Sequence, residues 1–353
     1  MTYQVTVEPT GDVVEVEDGQ TLLDAALRQG VWLPFACGHG TCGTCKVQVL
    51  EGYADAGDAS SFALMDSERD EGKLLACCCL PESDMVIEAD IDVDPDFQGL
   101  PVEDYQGKVV LIEDLSPTIK HIRLELDRPM AFQAGQYINL HVPSIDSTRA
   151  FSIANPPSMS GIIDLHVRKV EGGAGTTWLH EELEVGQSLD VSGPYGQFFV
   201  RKSDPQGAIF IAGGSGLSSP ESMIMDLLEE GDTRPIYLFQ GARNKAELYH
   251  ADHFYQLAEK HDNFHYIPAL NAPLPDDAWE GFVGFVHEAV GQFFEQRCSG
   301  NKAYLCGPPP MIEAAISTLM QSRLFERDIH MEQFLTAADG ATGKVRSALF
   351  KRI

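Results

Sequence analysis

Six of the chain's eight cysteines fall in its first eighty residues, and Cys37, Cys42 and Cys45 share the nine-residue stretch CGHGTCGTC. Further thiols follow at Cys77, Cys78 and Cys79, beyond a stretch that reads as a strand. A C-x4-C-x2-C run with a distant fourth sulfur is a ligand spacing for a [2Fe-2S] cluster. Four thiolates must close on two irons, and a short loop can deliver three of them only where backbone bulk is removed. Gly38, Gly40 and Gly43 supply that freedom, and they let amide N–H groups approach the sulfurs, where donors tune the charge of the reduced cluster. Zinc is the rival occupant, but structural zinc sites pair two short cysteine knuckles, and the distant sulfur here has no such mate. A disulfide scaffold is not expected in a chain of 353 residues. His39 reads as a solvated loop residue, and the residues alone leave Cys77, Cys78 and Cys79 open as the fourth ligand.

A second set of residues could hold flat redox rings and phosphates. In RAFSIAN (149–155), Arg149 could neutralise a phosphate and Ser152 could bond a ring nitrogen or oxygen, although an arginine beside a strand aromatic is ordinarily a solvated pair. EGGAGTTWLH (171–180) is a glycine-rich turn entering a helix, an anion site through free N–H groups and Thr176. GPYGQFF (193–199) allows close approach of backbone to a ligand. AIFIAGGSGLSSPESMI reads as a strand, a glycine turn and a helix opened by Ser219 with Pro220 in its first turn, an arrangement that cradles a dinucleotide pyrophosphate; without the full G-x-G-x-x-G it is also compatible with a tight strand–helix turn. YLCGPPPM (304–311) could hold Cys306 beside a nicotinamide ring or bury it as a core thiol. Near a 2'-phosphate, Arg243 and Lys245 would favour NADPH, whereas Glu247 and the lack of further basic residues favour NADH.

The elements that must position these groups fall into three stretches. Alternation in YQVTVEPTGDVVEVEDG predicts a β-hairpin, TLLDAALRQGV a helix capped by Gln20 or Thr21 and stopped at Gly30, and CKVQVLEG and MVIEADIDVD two more strands. Short alternating runs recur from Gly107 to Val200 and predict an antiparallel sandwich or barrel. Strand–helix alternation follows, which implies a parallel sheet with crossover helices. The expected domains are 1–92, a β-rich ferredoxin-like α+β unit; a linker, 93–104; 105–203, the antiparallel β-barrel; and 204–353, the Rossmann-like α/β unit. With 25 Lys+Arg against 53 Asp+Glu and a net charge of −28, nucleic acid is a poor partner and a basic protein surface a good one. Neither a membrane span nor a leader peptide is read from the sequence, and a cytoplasmic location is expected.

Taken in order, these pieces resemble the ferredoxin–NADP reductase superfamily with a plant-type [2Fe-2S] ferredoxin fused in front. The resemblance covers the whole chain. It implies that Arg149, Phe151 and Ser152 contact FAD, that Gly172, Gly173 and Thr176 hold its pyrophosphate, and that Gly213, Gly214 and Gly216 form the NAD(P) loop. It further implies that Cys306 and Gly307 wall the nicotinamide, Cys306 and Ser152 being the catalytic pair, that Glu332 and Phe334 of MEQF lie near the flavin, and that Cys77, following the small Ala76, is the fourth ligand while Cys78 and Cys79 are core thiols. GVWLPFACGHGTC, AGQYIN, RAFSIANPPS, GPYGQFFV and FIAGGSGLSSP are similar to the reductase components of bacterial multicomponent phenol hydroxylases, with one added serine before Pro220 relative to the usual G-[TS]-G-[IL]-[AS]-P. That implies an enzyme passing electrons from NADH through FAD and the cluster to a di-iron oxygenase, the flavin converting a hydride into single electrons. A reductase for a ring-hydroxylating dioxygenase or a sugar-deoxygenating pathway, and a non-catalytic electron carrier, are the alternatives.

Overall fold

The structure is a computed structural model and describes residues 1–91 and 94–334. Residues 92, 93 and 335–353 lie outside the described residues, and with them the expected 92/93 boundary and the end of the last expected domain. The chain divides into two compact units, 1–103 and 104–353.

In the first unit the expected hairpin forms from Thr2–Glu8 and Asp12–Glu17. The first of these strands also pairs in parallel with Met85–Ala89, which carries Lys46–Glu51 and then Lys73–Leu75 on its other side. Only one face of this mixed sheet is apolar, and the helix Leu22–Arg28 covers it, burying Leu22, Leu23, Ala25 and Ala26 against Val5, Val7, Val14 and Val16. Thr21 caps the helix by accepting from Asp24 N, so of the two expected caps it is the one used. Gly30, with φ +75°, turns the chain out of it. The stretch expected as a linker packs on its own unit: Val102 N donates to Leu27 O at 2.9 Å, and Phe97 lies edge-on to Trp32. Apolar side chains among the acidic residues of that stretch find cover there.

The second unit joins an antiparallel barrel to a parallel sheet. The barrel's six strands run in the order Ser147–Ser152, Tyr137–Val142, Ser188–Tyr195, Glu103–Ser116, Ile119–Leu126, Ile162–Arg168, and an antiparallel bridge from Ile153 to Leu165 brings the two edges together. Alternate residues such as Ile122, Leu124, Ile138, Leu140, Ile163 and Leu165 fill its interior. In the other half, Gly207–Gly213 lies at the centre of six strands paired in parallel, with Asn301–Gly307 beside it and one place in from the edge. Gly207–Gly213 is buried along its whole length, as a strand covered on both faces must be. The helices Ala251–Lys260 and Val286–Phe293 and the strand Phe264–Leu270, which the sequence reading did not resolve, complete this half.

Candidate redox sites

The loop after the first helix brings four sulfurs together. Cys45 and Cys77 Sγ lie 3.2 Å apart, and Cys37 and Cys42 hydrogen-bond through their side chains. Backbone amides point at these sulfurs: Gly40 N at Cys77 (3.2 Å), Thr41 N and His39 N at Cys37 (3.4 and 3.5 Å), and Thr44 N at Cys42 (3.5 Å). Gly38, Gly40 and Gly43 have φ of +73°, +77° and +75°, and a Cβ on Gly40 would sit 2.6 Å from Cys78 Sγ. The glycines are therefore required both by backbone sign and by close approach. Sharing a proton holds one thiol of each pair down and its partner up: Cys37 is lowered to about 3 and Cys42 raised to about 12, Cys45 is lowered to about 7 and Cys77 raised. Two close thiol pairs, each with one member already driven toward the thiolate and with N–H donors around the sulfurs, fit a [2Fe-2S] cluster. Of the three candidates for the fourth position, Cys77 stands in the set. Cys78 Sγ is 3.6 Å behind it, and Cys79 is buried with its thiol toward Ala76 O.

In the second unit, the rim of the barrel meets the ends of the parallel strands. Ser152 ends a barrel strand, Cys306 stands next to last in an inner strand of the parallel sheet, Glu332 lies on the edge strand Ile329–Gln333, and Ser219 lies in the first turn of Ser218–Glu229. All converge on one carboxylate oxygen: Ser152 Oγ donates to Glu332 Oε2 at 3.0 Å, Ser219 Oγ at 3.1 Å and Cys306 Sγ at 3.8 Å. Burial raises the Glu332 carboxyl above its ordinary value, the two serines working against that, and it raises the Cys306 thiol well above its own. Across strands from Ser152 stands Tyr137, whose ring stacks on Tyr195 at 5.5 Å and 20°. Burial, then the field of Glu332, keep the Tyr137 hydroxyl protonated. Two stacked rings beside a buried hydroxyl form a flat platform suited to an isoalloxazine.

Arg149 and Phe151 share the Ser152 strand. The exposed Arg149 guanidinium donates to Thr148 O (2.7 Å) and Ser147 Oγ (3.0 Å), and its aliphatic stem lies 3.7 Å from where a Cβ of Gly175 would stand. It thus borders the first turn of the helix Ala174–Glu181, which Gly172 (φ +72°) and Gly173 introduce. Arginine beside a helix N-terminus suits a diphosphate. The Thr176 hydroxyl is occupied in closing the turn, accepting from Val170 N and donating to Gly173 O, so backbone donors carry this end. Phe151 is half-buried on the barrel core.

The glycine turn departs from the expected register. A 3-10 turn, Gly214–Leu217, precedes the helix, which starts at Ser218 without a side-chain cap; Ser219 is aimed at Glu332 instead. Gly213 closes its strand, Gly214 has φ +59°, and a Cβ on Gly216 would strike the carbonyl of Cys306 and lie 2.7 Å from Gly307 Cα. Gly307 in turn accepts from Phe334 N at 3.0 Å, and the Phe334 side chain packs on the sheet core. Glu247, read as facing a ribose, sets its Oε2 against Thr118 Oγ1 (2.8 Å) and Ser116 Oγ (3.2 Å) of the barrel. Ser219, Tyr137 and Tyr195 were missed by the sequence reading; only the aromatic–glycine neighbours in AGQYIN and GPYGQ hinted at them.

Fold and sites together define an iron–sulfur flavin reductase with a nicotinamide-binding half. Family models agree: 2Fe-2S iron-sulfur cluster binding domain over 5–82, oxidoreductase FAD-binding domain over 106–200 and oxidoreductase NAD-binding domain over 210–316. The chain is 72% identical to the phenol hydroxylase P5 protein of Acinetobacter pittii and 68% identical to the reductase component DmpP of phenol 2-monooxygenase from a Pseudomonas species, each over 100% of both chains. A crystal structure of an Amycolatopsis cytochrome P450 reductase, GcoB, superposes with a TM-score of 0.84 at 36% identity, covering 95% of this chain and 100% of that one. The chain belongs to the family of phenol hydroxylase reductase components.

Proposed function

We propose that this chain draws electrons from NADH and delivers them, by way of FAD and a [2Fe-2S] cluster, to the oxygenase component of a phenol hydroxylase. The observation that carries the reading is the meeting of Ser152 from the barrel with Ser219, Cys306 and Glu332 from the parallel sheet on one buried oxygen. A flavin held there would supply the two-electron to one-electron conversion that joins a nicotinamide to a one-electron cluster.

The protein's own residues supply position and charge. Ser152, fixed through Glu332, would present its hydroxyl to the ring, while Tyr137 and Tyr195 would support the face. Arg149 and the 172–176 turn would neutralise the FAD diphosphate, and Gly213, Gly214 and Gly216 would leave room for that of NADH. Cys306, neutral by burial, and the compact Gly307 would flank the nicotinamide without competing as a nucleophile. Cys37, Cys42, Cys45 and Cys77 would hold the irons. The domain bounds that go with this are 1–92, 105–203 and 204–353, with 93–104 between the first two; strand ends at Ala89, Tyr195 and Gly207 support them, while the strand from Glu103 begins two residues ahead of the second domain's expected start. A cytoplasmic location fits NADH as donor, and among the described residues no helix is long and apolar enough to cross a membrane.

The test is anaerobic addition of NADH to purified protein. Flavin and cluster absorbance should both bleach, and the phenol hydroxylase oxygenase should then turn over with this chain as its reductase. Bleaching of neither chromophore, or electron delivery confined to a carrier role that needs a separate reductase, overturns the reading.

A further inference from the structure

A second cluster lies behind the glycine turn and takes no part in the chemistry above. His166 sits on the barrel strand Ile162–Arg168, Glu221 on the helix Ser218–Glu229 of the parallel-sheet half, and His250 follows the strand Ile236–Ala242. His250 Nδ1 lies 3.1 Å from both oxygens of Glu221, and His166 Nε2 lies 3.9 Å from Glu221 Oε2. One nitrogen from each histidine and one carboxylate oxygen all fall within 4.8 Å of one another.

Hydrogen bonding fixes the state of His166. Tyr249 donates its one hydroxyl proton to Gly214 O at 3.0 Å, which leaves its oxygen to accept from His166 Nδ1 at 3.2 Å. With the proton on Nδ1, the Nε2 lone pair of a side chain only 2% exposed points toward a carboxylate. Among the described residues nothing donates to that nitrogen. The Glu221 oxygens take their hydrogen-bond contact from His250 Nδ1, so the His166 lone pair faces a carboxylate whose nearest proton belongs to His250, and a cation that displaced that proton would satisfy all three groups. A tyrosine fixing the far nitrogen of a ligand histidine is also the outer support that metal sites use. His250 reaches the spot from a left-handed backbone, φ +59°, unusual for a residue with a side chain and held there by its surroundings.

We infer that His166 Nε2, His250 Nδ1 and the Glu221 carboxylate form a binding site for a divalent cation of the zinc class, which ties the barrel to the parallel-sheet half behind the Gly214 turn. Two imidazoles and a carboxylate suit zinc, with ligand bonds of about 2.0–2.2 Å and a fourth position for water; calcium and magnesium, which prefer all-oxygen shells, are disfavoured. Binding turns the side chains inward and releases the His250 Nδ1 proton that now meets Glu221, leaving that ring protonated on Nε2. Because Tyr249 bonds both His166 and the Gly214 carbonyl, occupancy would stiffen the turn that receives the nucleotide.

The experiment is calorimetric titration of Zn2+ into chelator-washed holoprotein, with His250→Gln and Glu221→Gln beside it. Wild type should bind one equivalent and gain thermal stability, and both variants should lose at least tenfold in affinity with flavin and iron content unaltered. Zinc-edge X-ray absorption of the loaded wild type gives a readout that needs no variant. A shell of nitrogen and oxygen at about 2.0–2.2 Å supports the site, and a sulfur shell at about 2.3 Å overturns it. Identical isotherms in wild type and both variants, or no saturable binding in wild type, also overturn it.

Discussion

Replacing Glu332 by alanine is the sharpest trial of the flavin-site reasoning. In the native site one carboxylate oxygen pins Ser152 Oγ at 3.0 Å and Ser219 Oγ at 3.1 Å, with Cys306 Sγ at 3.8 Å. A hydrogen bond to a charged group contributes about 1.5–3 kcal/mol, and an orphaned buried hydroxyl costs about 1–3 kcal/mol. Ser152 and Ser219 would therefore turn to other acceptors, and the hydroxyl presented to the ring would move. If about 2–3 kcal/mol of positioning is lost at the transition state, hydride transfer slows by about 30- to 150-fold. Glu332→Gln keeps a carbonyl acceptor for the serines, so its loss should stay below about tenfold. It should also remove the acid limb of the rate profile, which in wild type lies above the ordinary carboxyl value of 4.5 because burial favours the protonated form. The assay is anaerobic stopped-flow bleaching of flavin by NADH, with flavin content measured on each variant. Wild-type rates in fully flavinated Glu332→Ala, or equal losses in both variants, would refute the pinning argument.

Four further outcomes follow from the same structure. Cys42→Ser should lose iron and acid-labile sulfide while keeping flavin and NADH-driven reduction of artificial acceptors; unchanged metal content would count against the four-sulfur set. Gly216→Ala drives a Cβ into the Cys306 carbonyl, an overpacking of about 1–3 kcal/mol that should raise the KM for NADH by about 5- to 150-fold, read by steady-state kinetics. Asp164 is buried, and although burial alone would raise its carboxyl, the paired contacts of Arg123 and the contact of His121 lower it from 3.8 to about 2; Asp164→Asn should cost about 2–3 kcal/mol at neutral pH by denaturant unfolding. A folded value below the unfolded one stabilises above it, so the gap between wild type and Asp164→Asn should be full above about pH 4 and close as pH falls through about 2. The net charge of −28 predicts electron delivery to the oxygenase that slows as salt rises from low to physiological strength, and rates flat across that range would contradict it.

Local chemistry was legible in the sequence wherever one short segment carries the whole device. CGHGTCGTC carries three of the four clustered thiols and the left-handed glycines between them, because loop closure and backbone sign are properties of neighbouring residues. Barrel and parallel sheet were legible for a similar reason, since a pleated strand alternates and a strand covered on both faces does not. What could not be read was convergence. Ser152, Ser219, Cys306 and Glu332 look like four unrelated polar positions until strand pairing carries Glu332 beside Cys306 and the barrel rim meets the first turn of a helix. Ser219 shows the difference most plainly: in sequence it reads as a helix cap, and only the packing of a 3-10 turn ahead of it frees its hydroxyl for Glu332. Glu247 makes the same point, a carboxylate in the stretch read for a ribose whose Oε2 the fold also sets against Thr118 of the barrel. The amino-acid order thus determined which groups the chain owns and the local shapes they prefer. Long-range pairing alone decided which of them meet, because a contact between residues more than a hundred positions apart leaves no period in the sequence.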